Sequence, residues 1–191
     1  MNINRYRLLC LALAAVMLVS CTPGRQRQAP GTAHSDLKKY FETEARQVNT
    51  NGLQLHKIVT LNGQRDTVAM PADTLALQHL LKPFIDADIN KPSLRDAYRT
   101  DTVTNLFSGS SSIMYSARDA GTNPEQVILN MDKEGRIATV QILNRVRNLV
   151  YEYQQKLFYQ HLKTIHITTY QKIAFLQPRE LDVQVLLAPK N

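Results

Sequence analysis

A few clusters of reactive side chains set the chemistry open to this chain. Asp86, Asp88 and Asn90 have the alternating spacing with which a calcium loop begins. An EF-hand loop also needs glycine at its sixth position and a bidentate glutamate at its twelfth. Those positions hold Lys91 and Ala97, so the acids read instead as turn formers at a helix end. His34, His56, His79, His161 and His166 form no H-E-x-x-H motif and no i, i+4 pair. The offset between His161 and His166 puts them on opposite faces of a strand, which argues against zinc. Gly109-Ser110-Ser111-Ser112-Ile113 lacks the closing glycine of a nucleophile elbow. S-x-x-K, P-loop and G-x-G-x-x-G motifs are absent. Asp73, Asp119, Asp132 and Glu134 fall where caps and turns are expected. No catalytic residue, metal ligand or cofactor is assigned.

Two stretches are better suited to binding. Arg145, Arg147, Lys156, Lys163 and Lys172 face a single acid, Glu152, and are interleaved with Tyr151, Tyr153, Phe158, Tyr159 and Tyr170. Basic and aromatic residues together are common at protein interfaces and at lipid headgroups. A solvated strand face carries a similar composition. Arg145, Arg147, Tyr151, Tyr153 and Lys156 are the candidate interface residues of this stretch. The second stretch is the polar connector from Phe84 to Tyr98, with Asp86, Asp88 and Asn90 as candidates beside Lys91, Arg95 and Asp96. Connectors of this kind often carry function on a rigid scaffold.

The elements that must hold these residues follow from hydrophobic spacing. Leu37, Tyr40, Phe41, Glu44 and Val48 recur at helical intervals, so a helix is expected over 36–49, capped by Ser35 or Asp36. Asn62-Gly63 marks a type I′ hairpin between strands at 53–61 and 65–70. A second helix starts at Asp73 or Thr74, with Pro83 expected to kink or break it. Strands are expected at 98–107, 112–118, 125–131, 136–146, 149–158, 164–176 and 181–187. Residues 144–148 suggest a bulge or bend, and 151–160 is also compatible with a helix. The fold class is α+β, with one or two helices packed on a curved antiparallel β-sheet meander. The layout is similar to several envelope lipoprotein and lipid-carrier folds, an analogy of fold alone.

The chain has 191 residues, 43% of them hydrophobic and 20% charged, which suits one globular domain. Its N-terminus is a different matter. Arg5 and Arg7 precede an uncharged run from Leu8 to Val19, too short to span a bilayer core, which ends in Leu18-Val19-Ser20-Cys21. This resembles the bacterial lipoprotein signal peptide and its lipobox. The resemblance implies a diacylglycerol on the Cys21 thiol, cleavage between Ser20 and Cys21, and a further acyl chain on the new amine. Thr22 in place of aspartate implies sorting to the outer membrane. Residues 1–20 are then the signal peptide, 21–35 the lipidated cysteine and a flexible tether, and 36–191 a single α+β domain.

The remaining numbers are consistent with that reading. Cys10 leaves with the signal peptide and Cys21 is consumed by lipid, so no thiol remains for disulfide, metal or nucleophile chemistry. Losing Arg5 and Arg7 and no acid takes the net charge from +7 to +5. Nothing combines basic and aromatic residues in a nucleic-acid motif, and no nucleic-acid partner is expected. The function expected is that of a membrane-anchored envelope lipoprotein facing the periplasm. It is a non-enzymatic interaction or accessory module whose partner is another envelope protein or lipid. The alternative is a carrier of lipid or another hydrophobic ligand, with a pocket lined by Val140, Ile142, Ile165, Ile167, Val183 and Val185. An envelope hydrolase is the least favoured reading.

Overall fold

The computed structural model describes residues 35–189 apart from 51, 72 and 95. The expected signal peptide, Cys21 and the expected tether as far as residue 34 lie outside the described residues. Among those described, no helix is long and apolar enough to cross a membrane.

Helix α1 spans Leu37–Thr50. The Asp36 carboxylate accepts the Lys39 backbone N–H at 2.8 Å, the geometry of an N-cap. Strands β1 (Leu53–Leu61) and β2 (Gln64–Pro71) form the expected hairpin. Asn62 and Gly63 both take positive φ, at 47° and 84°, as a type I′ turn requires. Helix α2 spans Thr74–Asp86, and its N-cap Asp73 accepts from the Ala76 N–H at 2.7 Å. Pro83 does not break it. The chain stays helical to Asp86 because Phe84 and Ala87 are buried just beyond the proline and hold the last turn against the core.

A 3₁₀ turn at Pro92–Leu94 leads into a meander of seven strands. These are β3 (Tyr98–Thr104), β4 (Ser111–Ala117), β5 (Gln126–Met131), β6 (Ile137–Arg147), β7 (Tyr151–Gln160), β8 (Thr164–Ile173) and β9 (Arg179–Pro189). The helical alternative for 151–160 is excluded, since β7 pairs along its length with β6 and with β8. Residues 144–147 are regular strand, in register out to Arg147 opposite Glu152. The irregularity lies instead between Asn130 and Met131, where β5 meets the start of β6. Strand β8 stops at Ile173 because Phe175 takes a positive φ of 67° in the turn that follows.

All nine strands form one antiparallel sheet, in the order β2-β1-β9-β8-β7-β6-β5-β4-β3, not closed into a barrel. Period-two alternation gives it two unlike faces. The inner face carries Leu55, Val183, Ile165, Leu157, Val140 and Val127, all buried in one core with α1 and α2. The aromatic centre of that core is Phe41, whose ring lies 4.9 Å from Phe84, 5.2 Å from Tyr159 and 5.1 Å from Tyr40. The outer face mixes polar side chains with Ile128, Leu143, Phe158 and Leu186, and it bears side-chain ladders. In one, Ser112 donates to Asn130 at 2.6 Å and Asn130 donates to Thr139 at 2.7 Å. The turns β1–β2, β4–β5, β6–β7 and β8–β9 lie at what we call the upper end, and the other three strand turns at the lower end.

Candidate functional site

Helix α2 ends before the long strands β6–β9 do, so the upper part of the inner face is left uncovered. A cleft of about 490 Å³ opens there. Its floor is Asn144, Tyr153 and Gln155, its near wall the last turns of α2 (His79, Lys82, Asp86) with Lys91, and its far rim Asn123 and Pro124. The floor is polar for a local reason. Asn144 donates to Gln155 at 3.0 Å, so a pair of amides continues the row that holds Val140 opposite Tyr159 and Ile142 opposite Leu157 under the helices. The cleft wall is tied together by Lys82, which pairs with Asp86 at 2.7 Å, and by Lys91, whose Nζ donates to the Asp86 carbonyl at 2.8 Å. The rim is fixed by Tyr98, whose hydroxyl donates to the Pro124 carbonyl at 2.6 Å. Burial pushes the Tyr98 phenol up to about 12, which keeps it a donor. Tyr151 stacks on Tyr153 with centroids 6.3 Å apart.

The structure therefore brings together one member of each candidate stretch, Asp86 and Tyr153, with Tyr151 behind. The other candidates go elsewhere. Asp88 caps the Asn90 backbone N–H at 3.0 Å, and the Asn90 amide donates to the Ser35 carbonyl at 3.1 Å, so both shape the connector. Arg145, Arg147 and Lys156 lie on the outer face, because strand alternation sends them opposite to Tyr151 and Tyr153. Arg145 contacts Glu125 at 3.4 Å. Lys156 borders a shallow outer depression of about 300 Å³ with Gln126, Gln141, Phe158 and His166. The stripe divides between two faces in space: Tyr151, Tyr153 and Tyr159 turn inward, while Phe158 and Tyr170 stay on the outer face with Arg145, Arg147, Lys156 and Lys172.

The six residues expected to line a carrier pocket pack instead into the core, and of them only Ile142 also borders the shallow outer depression. Val140, Ile142, Ile165, Ile167, Val183 and Val185 are all buried in the core cluster with the helix residues. Packing fills the face that such a carrier needs.

One constellation escaped the sequence. Glu44, only 2% exposed, sits between α1 and the lower end of β7. Its Oε2 accepts the Tyr159 hydroxyl and faces His161 Nδ1 at 2.7 Å. The Tyr40 hydroxyl is buried alongside and makes no hydrogen bond of good geometry. Burial first, and the Glu44 charge second, push both phenols well above their ordinary range. Glu44 had appeared only as one position of an amphipathic spacing, and a glutamate there reads as the edge of a helix face. Its two contacts tie α1 to the lower end of β7 and the turn that follows.

On the outer face, Asp182 Oδ2 meets His166 Nε2 at 2.6 Å, and Gln184 donates to Oδ1 at 3.1 Å. Burial raises the Asp182 pKa, but the His166 hydrogen bond and charge, with Gln184 and Thr168, outweigh it and leave the carboxyl below its usual value. A carboxyl with a lowered folded pKa stabilises the fold above the ordinary carboxylate range, near pH 4, and loses that contribution as pH falls through the folded value. Asp182→Asn is expected to cost roughly 0.5 kcal/mol at neutral pH, since solvent screens the pair. The wild-type advantage should vanish in urea titrations carried out at progressively lower pH.

Among the described residues, no group of three or more His, Cys, Asp or Glu side chains is placed to hold a metal ion. Comparison with protein-family models, curated proteins and solved structures finds no match.

Proposed function

We propose that this chain is an outer-membrane lipoprotein, anchored through Cys21 and facing the periplasm, and that its domain is a non-enzymatic module that docks another envelope protein. The docking place is the upper cleft. The observation that carries this is the meeting there of Asp86 and Lys91 from the connector with Tyr153 from β7. Lysines, a histidine and a stacked tyrosine pair around an amide floor suit an extended segment with acidic side chains. The cleft holds one carboxylate, already paired with Lys82, and no serine or cysteine, which favours binding over hydrolysis.

The test is photo-cross-linking in intact cells with a benzophenone amino acid at Tyr153, and with the same probe at Leu186 on the outer face as a control. One reproducible adduct at Tyr153, absent at Leu186, is the expected result. A monomer with no adduct at Tyr153 defeats the docking reading. The mass of the N-terminal peptide tests the anchor separately.

A further inference from the structure

The upper end of the sheet finishes in two hairpin tips whose apolar side chains cover nothing. Between β6 and β7, Leu149 is 102% exposed, and between β8 and β9, Phe175 is 104% exposed, with Val150 and Leu176 also open to water. The tips are neighbours, since the Ala174 backbone N–H donates to the Val150 carbonyl at 2.8 Å. Residues 148–151 and 173–178 contain no charged side chain. Paired apolar tips of this kind gain by leaving water.

What lies below the tips indicates where they go. Tyr151 and Tyr153 form the next layer on the inner face. Arg147, Lys172 and Arg179 are exposed at the level of the strand ends and join no ion pair among the described residues. Glu152 and Glu180 share that level, so the local excess is one positive charge, and the apolar tips carry most of the argument. Arg147 and Lys172 are level with Glu152, between the two tyrosines, and Arg179 is level with Tyr153, so an apolar tip is followed by one band that tyrosines and cations share, as they share the interface of a bilayer with anionic headgroups.

The chain outside the described residues permits the contact. Ser35 is held at mid-height, its N–H donating to the Tyr115 hydroxyl at 3.3 Å, and Tyr115 is level with Val127 and Ile142 across the sheet. From Ile142 to Leu149 is about 24 Å along the strand direction. The residues from Cys21 to Ser35 reach about 45–50 Å when extended.

We infer that the paired β6–β7 and β8–β9 tips insert into the interfacial layer of a lipid bilayer with anionic headgroups. This is a second membrane contact beyond the proposed anchor and does not require lipid on Cys21. The lower tip is an internal comparison. Leu106 and Phe107 are as exposed, but the cations of the adjoining β5–β6 turn, Lys133 and Arg136, are paired with Glu134 and Asp132, the tip has no tyrosine, and the exposed Lys163 of this end lies in the separate β7–β8 turn.

The experiment places single cysteines in the full chain at Leu149, Phe175 or Leu106 and labels each with a polarity-sensitive fluorophore. The purified protein is reconstituted in phosphatidylethanolamine–phosphatidylglycerol vesicles, with and without brominated acyl chains. The Leu149→Cys and Phe175→Cys probes are expected to shift to the blue and lose roughly half their emission to bromine, and the Leu106→Cys probe to change little. Adding Arg147→Glu and Lys172→Glu to the Leu149→Cys chain should reduce the quenching. Unquenched tip probes on vesicle-bound protein overturn the inference, including the case in which the tips seat against a protein. Equal quenching at all three positions overturns it as well. Labelling of the unsubstituted chain reveals a free Cys21 and so reports failure of the anchor reading alone. The probes are then read in a Cys10→Ser, Cys21→Ser background, where the same quenching pattern decides.

Discussion

Phe41→Ala is expected to lower folding stability by about 3–5 kcal/mol. Phe41 is fully buried on α1, and its ring meets Phe84 of α2 and Tyr159 of β7 at close range. One side chain therefore joins both helices to the sheet. Truncating it removes the transfer free energy of the ring and leaves a cavity that three separate elements cannot close together. A domain of this size has about 5–15 kcal/mol to lose, so the midpoint in urea should move by a large fraction of its value. Leu106→Ala is the matched control. Leu106 is 90% exposed, and its loss should leave the midpoint within error. A Phe41→Ala protein as stable as the parent would mean that the helices do not pack on the sheet as described.

Glu44→Ala is expected to cost about 2–4 kcal/mol, chiefly because it leaves the Tyr159 hydroxyl buried without its acceptor. The same loss frees His161 from α1. The penalty belongs to the stranded hydroxyl more than to the missing bond. Glu44→Met combined with Tyr159→Phe should therefore recover most of the stability, because both polar partners go and the volume stays. A double-mutant cycle by urea denaturation measures this directly. If the double variant is the sum of two independent losses, the pair is not coupled and the lock between α1 and β7 is not polar.

Local signals carried much of this fold into the sequence. Asn62-Gly63 named its hairpin because only residues at ease with positive φ fit that turn, and both take it. Asp73 announced α2 by the need to satisfy its first N–H groups. Alternation at Val183 and Val185, and at Val140 and Ile142, identified strands with one buried face. What stayed hidden needs knowledge of which strands meet. The odd offset between Tyr153 and Lys156 already puts them on opposite faces of a strand, but it does not say which of those faces meets the helices or which face of β6 continues each of them. The cleft depends on α2 ending short of β6 and β7, a difference in length between elements far apart in the chain. Glu44 finds Tyr159 across 115 residues, and nothing near either one records the other. The concave carrier pocket was a fair reading of a curled sheet. The residues expected to line it are packed instead, because α1 and α2 bring large side chains against them, with Phe41, Phe84 and Leu81 fully buried or nearly so.

The strand order has a consequence for how the molecule is assembled in time. The hairpin β1–β2 is made early, yet its only route into the sheet is through β9, the last strand of the chain. A polypeptide that emerges N-terminus first must hold residues 53–71 with the edge of β1 open, as well as that of β2, until residues 179–189 arrive. Contacts between such distant segments slow folding, and an unfilled strand edge invites pairing with the wrong chain. The meander β3–β8 can zip from neighbour to neighbour, while closure at β1–β9 waits for the terminus. The nine-stranded sheet thus closes only when β9 is free, and until then the unpaired edge of β1 is open to pairing with other copies.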